Sequence, residues 1–155
     1  RLIFQKKKII KNRKVKKIIN KENIILKNVD KKFKNLQKLN FDNKIKINKI
    51  IDKCLSKGLK IFGFGASVGT TTLVYDFELD KKIEYIFDNE KKRFNLYMPG
   101  TNIKVLNPNY LKKINVDYII IFAWRYAKQI LLRNKKLFSK KTKFVVPLPK
   151  CKIIK

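Results

Sequence analysis

At 155 residues and 45% hydrophobic content, the chain has apolar material for one domain of ordinary size and an appendage, and none for a second full domain. There is no run of about 18 apolar residues, which excludes a membrane-spanning helix; histidine is absent and Cys54 and Cys151 lie far apart, which removes zinc-site and disulfide-framework readings. The formal charge of +29 raises nucleic acid as a partner, yet all but five of the 40 basic residues are lysine, whereas base readout favours the arginine fork.

Taken in order, Arg1-Leu-Ile-Phe-Gln5 reads as a strand entered midway, and the N-terminus is too basic and interrupted to contain the apolar core of a signal peptide. A cytoplasmic protein with no membrane contact is expected. Residues 6–32 are lysine-rich with scattered isoleucine pairs and no clean period, so residues 1–28 are read as a basic linker. Apolar positions at helical steps from Phe33 to Leu55 predict a helix over 29–57 that Gly58 stops. Strands then alternate with helices. Strands are predicted at 60–63, 85–88, 103–106, 117–123 and 143–147, with helices at 70–77, 108–114 and 125–137. The segment Tyr118-Ile-Ile-Ile-Phe-Ala123 is apolar on both faces, as a central strand of a covered parallel sheet must be. The pattern predicts an α/β fold, a Rossmann-like doubly wound and mostly parallel sheet of about five strands, over residues 29–155.

The most informative stretch is Gly63-Phe-Gly-Ala-Ser-Val-Gly-Thr-Thr-Thr-Leu73, in which a strand enters a glycine turn that opens a helix. Backbone bared at Gly63 and Gly65, the small residues Ala66 and Ser67, and hydroxyls at Thr70, Thr71 and Thr72 beside the positive end of a helix dipole form a candidate anion site. Capping is the ordinary role of each threonine taken singly. The Gly-Lys-Ser/Thr ending of a Walker loop is missing, so ATP hydrolysis is not expected. Glycine stands one place beyond the usual dinucleotide fingerprint, but Asp88 follows at the distance of an acidic ribose ligand, so an NAD(P)-binding module is an alternative. A basic nucleic-acid-binding protein is a further one, resting on charge alone, although specific nucleic-acid recognition is not expected. At the end of the fourth strand, Trp124, Arg125 and Tyr126 lie at the same sheet edge and could offer stacking and a phosphate partner, or simply pack and be solvated. Arg93 precedes the turn at Met98-Pro-Gly100. No nucleophile–base pair, paired carboxylates or metal cluster is visible, so no catalytic residue is assigned.

Five ordered blocks carry a resemblance: the glycine segment; Asp88-Asn-Glu90; Pro99-Gly-Thr-Asn-Ile103; Val116-Asp-Tyr-Ile-Ile-Ile-Phe-Ala-Trp-Arg-Tyr-Ala127; and Phe144-Val-Val-Pro-Leu-Pro149. Together they resemble the C-terminal domain of the S-adenosylmethionine-dependent sugar C-methyltransferases, over roughly residues 30–155. The resemblance implies a domain that helps to hold a nucleotide-diphosphate-linked keto-deoxysugar. It further implies that S-adenosylmethionine, zinc and the catalytic residues belong to upstream domains, acting in cis or in trans, and that this chain binds no cofactor itself. Arg1–Lys7 is similar to the closing strand of the family's methyltransferase domain. By the same resemblance, Gly65, Ala66 and Ser67 with the helix start at Thr70–Thr72 face the diphosphate, and Trp124–Tyr126 flank the sugar or base. The chain departs from the family after Asp88, where the usual Asp-Asp-Asn-Pro run is Asp88-Asn-Glu-Lys91 and the usual Lys-Gln-Gly is Arg93-Phe-Asn95.

Overall fold

The computed structural model describes residues 13–154. The strand predicted at Arg1–Gln5 lies outside them. The chain divides into two compact units, residues 1–38 and 39–155.

In the first unit, α1 (Arg13–Leu26) occupies the stretch expected to be linker, and α2 (Val29–Leu55) begins. Lysine is a good helix former, and Val15, Ile18, Ile19, Ile25 and Leu26 recur at helical steps. Ile24 on the opposite side blurs that period, which hid the helix. No residue of α1 is buried.

The second unit is built on a six-stranded sheet of order β3-β2-β1-β4-β5-β6. The strands are β1 (Ile61–Phe64), β2 (Tyr85–Phe87), β3 (Lys104–Leu106), β4 (Tyr118–Ile121), β5 (Lys143–Val146) and β6 (Lys152–Ile154). The first five are mutually parallel; β6 returns antiparallel along β5, pairing Val145 with Ile153. Helix α3 (Val68–Asp76) links β1 to β2, and α4 (Ala127–Arg133) lies between β4 and β5. The sequence missed β6 because three residues, one of them charged, carry too little alternation to register. Two predicted helices are also shorter than expected. Residues 108–112 form a 3₁₀ turn capped by the Asn107 side chain, and 124–137 break into a 3₁₀ turn, α4 and a second 3₁₀ turn. The buried Asn134 ends α4, its side-chain amide donating to the Ile130 carbonyl at 2.9 Å.

Strand alternation sorts the core into two layers. Ile61, Ile86, Ile120 and Val145 face Ile47, Ile51 and Cys54 of α2 and Leu73 and Val74 of α3. Phe62, Phe64, Phe87, Ile119, Ile121 and Phe144 point the other way, toward Leu111, Val116 and Ile130. A sheet buried on both faces requires such apolar strands, and each fully buried isoleucine or phenylalanine contributes about 1.5–3 kcal/mol. On α2, Asn43, Ile47, Ile51 and Cys54 fall on one face at steps of four and three. The buried Asn43 amide donates to the Pro149 carbonyl (2.9 Å) and its oxygen accepts from the Cys151 N–H (2.8 Å), joining the helix to the segment between β5 and β6. Asn48 donates to the Phe77 carbonyl, and Lys82 pairs with Asp52, so the same helix also holds the crossover between α3 and β2.

Candidate functional site

The strand order reverses between β1 and β4, and the carboxyl ends of these neighbouring strands define the crevice where open α/β sheets bind ligands. The β1 ladder runs on into the turn: the Gly65 N–H donates to the Phe87 carbonyl (2.7 Å), and the Phe122 N–H donates to the Phe64 carbonyl (2.9 Å). Gly65 has φ +95°, which L side chains rarely adopt, and a Cβ there would stand 2.6 Å from the Ala123 Cβ. The turns after β1 and β4 therefore touch, and glycine is what permits it.

Within the glycine turn, the three threonines have separate positions. Thr70 is fully buried; its hydroxyl donates to the Gly65 carbonyl and accepts from the Ser67 N–H (3.2 Å). It shapes the turn and is not presented to a ligand. Thr71 is half-buried and Thr72 exposed on the following positions. The Thr70 and Thr71 N–H groups both donate to the Ser67 carbonyl, which leaves the amides of Val68 and Gly69 as the orphan donors of the α3 start. Nothing but the Ser67 hydroxyl approaches Gly69 closely.

Asp88 follows β2 and is nearly buried. One carboxylate oxygen accepts from the Ala66 N–H (2.6 Å) and from Arg93 (3.1 Å), the other from the Glu90 N–H (2.8 Å). It fastens the glycine turn to the loop after β2 and holds the half-exposed Arg93 guanidinium at the crevice. Arg125 stacks over the Trp124 ring, 4.4 Å from its centroid.

Two clefts result. The larger, of about 490 Å³, gathers Gly65, Ser67, Gly69, Thr72, Asp88, Arg93, Trp124, Arg125 and Tyr126, with Phe122 and Leu148 in its wall. The smaller, of about 260 Å³, is lined by Ala66, Ser67, Thr71 and Arg93 and by apolar residues including Val68, Leu96, Met98, Pro99 and Val105. Of the residues singled out in the sequence, the structure brings all but Gly63 and Thr70 to these two clefts. Gly63 lies within β1, where a Cβ would press against Ile86 and Phe122 at 2.7 and 2.8 Å, so it is a packing glycine. The apolar lining of the smaller cleft was not identified as a site: Met98-Pro-Gly100 read only as a turn. The run of three large apolar residues Leu96-Tyr97-Met98 directly before the Pro99-Gly100 turn was the available signal.

Groups with displaced pKa values lie elsewhere. Burial pushes the Cys54 and Cys151 thiols up, and the hydrogen bond from Lys44 pulls the exposed Glu78 down. Among the described residues no group of His, Cys, Asp or Glu could hold a metal ion, and no helix is long and apolar enough to cross a membrane.

Five parallel strands in this order, with a glycine turn after the first, define a Rossmann-like α/β domain. Residues 1–149 match the family of C-methyltransferase C-terminal domains, and the chain belongs to that family. The C-methyltransferase NovU of Streptomyces niveus is 24% identical over 109 residues, which span 70% of this chain and 26% of that protein. Among solved structures, UDP-D-quinovosamine 4-dehydrogenase from Vibrio fischeri aligns at 16% identity and a TM-score of 0.44, over 63% of this chain and 93% of that one.

Proposed function

We propose that the chain is the substrate-side domain of an S-adenosylmethionine-dependent sugar C-methyltransferase, holding a nucleotide-diphosphate-linked keto-deoxysugar. The methyl donor, zinc and catalytic residues belong to an upstream methyltransferase domain, joined in cis or acting in trans. The observation that carries this reading is the meeting of the glycine turn, Arg93 and Trp124–Tyr126 in one cleft at the point where the strand order reverses. The orphan amides of Val68 and Gly69, the Ser67 hydroxyl and the Arg93 fork suit a diphosphate, and the aromatic side chains suit a base or sugar. An NAD(P) module is less well supported, because the Asp88 oxygens that would accept from a ribose are engaged with Ala66, Glu90 and Arg93.

Calorimetry with a nucleotide-diphosphate deoxysugar tests the assignment. Saturable binding that Arg93→Ala weakens at least tenfold is expected. Absence of binding, even with a methyltransferase domain restored upstream, overturns it.

A further inference from the structure

Every residue from Arg13 to Lys38 is exposed, yet the apolar ones among them are ordered. Val15, Ile19, Leu26, Val29, Phe33 and Leu36 fall at alternating four- and three-residue steps, with Glu22 at the one remaining place in the series. The two-residue turn between α1 and α2 keeps the count. A seam of this kind, three heptads long, is the pattern by which helices pair. A helix of 14 residues with no buried side chain is marginal by itself in water, so α1 needs a surface to lie against.

The placement of charge narrows the choice of surface. Residues 13–38 carry ten cations and two carboxylates, but of the cations only Lys16 and Lys32 flank the seam. The others occupy the outer positions, where salt screens them. At roughly half exposure apiece, the six seam side chains hold on the order of 600 Å² per copy, so two copies would bury on the order of 1,200 Å², the lower limit of a stable interface.

We infer that this seam is covered by the same seam of a second copy, in an antiparallel pair that lays α1 of each chain against the first turns of α2 of the other. A parallel pair would set the two Glu22 carboxylates side by side between apolar surfaces. The antiparallel order keeps them apart, and a lone polar residue in a seam fixes the register at some cost in stability.

Sedimentation equilibrium on the whole chain, between about 1 and 200 µM, tests the pairing. A dimer is expected that tightens at least threefold from 0.1 to 0.5 M salt, because the outer lysines of the two copies repel. Phe33→Asp and Leu26→Asp, both at exposed positions, are expected to weaken it at least thirtyfold and to leave the thermal melt of the chain unchanged. Ile24→Asp, equally apolar and exposed but on the outer side, is expected to leave the dimer within twofold. Glu22→Leu is expected to tighten it at least tenfold. On mild oxidation, a mixture of Ile19→Cys and Leu36→Cys chains is expected to form the mixed disulfide; homodisulfides from either variant alone overturn the antiparallel order. A chain that stays monomeric, or a dimer that Ile24→Asp weakens as much as Phe33→Asp does, overturns the inference. So does a monomer that sediments with phosphatidylserine vesicles, because the seam then belongs to a bilayer.

Discussion

Asp88 has more demands on it than any other side chain at the crevice. Its two oxygens accept from two backbone amides and one guanidinium, all charge-assisted bonds, and each such bond is worth about 1.5–3 kcal/mol. Asp88→Asn keeps the shape and removes the charge. It is expected to destabilise the domain by about 1–3 kcal/mol in a urea titration and to weaken anion binding, because Arg93 loses its anchor. The glycines of the turn separate in the same kind of experiment. Gly65→Ala combines a strained φ with a collision at Ala123 and is expected to cost about 1–3 kcal/mol or more. Gly69→Ala meets only the Ser67 hydroxyl, at an ordinary contact distance of 3.8 Å, at a helix start, so it is expected to raise stability by up to about 1 kcal/mol while lowering phosphate affinity through the added Cβ. The sequence located these residues without resolving their roles. Three consecutive threonines on a helix are turned about 100° from one another, so one must face inward. Which one does depends on the strand beneath, and that is a tertiary fact. Asp88 stood at the expected distance, but the loop that engages it is a chain departure from the family pattern and could not be read in advance.

At the level of elements, apolar runs made β1, β4 and β5 legible, and the stripe Ile47, Ile51, Cys54 made α2 legible. What escaped were the elements defined by their partners. Strand β6 exists because β5 offers an open edge, and α1 shows a helical period only once Ile24 is set aside. Asn43 illustrates the same limit, since a polar residue in an apolar stripe looks like an interruption until the segment it binds, between β5 and β6, is known. Its removal tests that link. Asn43→Ala leaves the buried Cys151 N–H without an acceptor and is expected to cost about 1–3 kcal/mol, with faster amide exchange at Cys151 as the local signature.

For the molecule as a whole, the pH response at the alkaline end follows from the two buried thiols. Burial raises both above their ordinary value of 9.0, with Asp117 adding to the effect at Cys54. The folded state thus binds thiol protons more tightly than the unfolded chain does. Their contribution to stability is intact below pH 9.0 and is lost as pH rises from there through the folded-state values. Melting temperatures are expected to fall as pH rises above 9.0, and the slope to be shallower in Cys54→Ala and Cys151→Ala.

The contact between Gly65 and Ala123 reaches beyond the turn that contains it. With the two backbones this close, the Ala123 methyl group occupies the space that a side chain at position 65 would need, so the size of the residue at 123 and the absence of one at 65 are linked. Natural variation at the two positions should therefore be correlated, with a small residue at 123 wherever glycine makes the turn at 65.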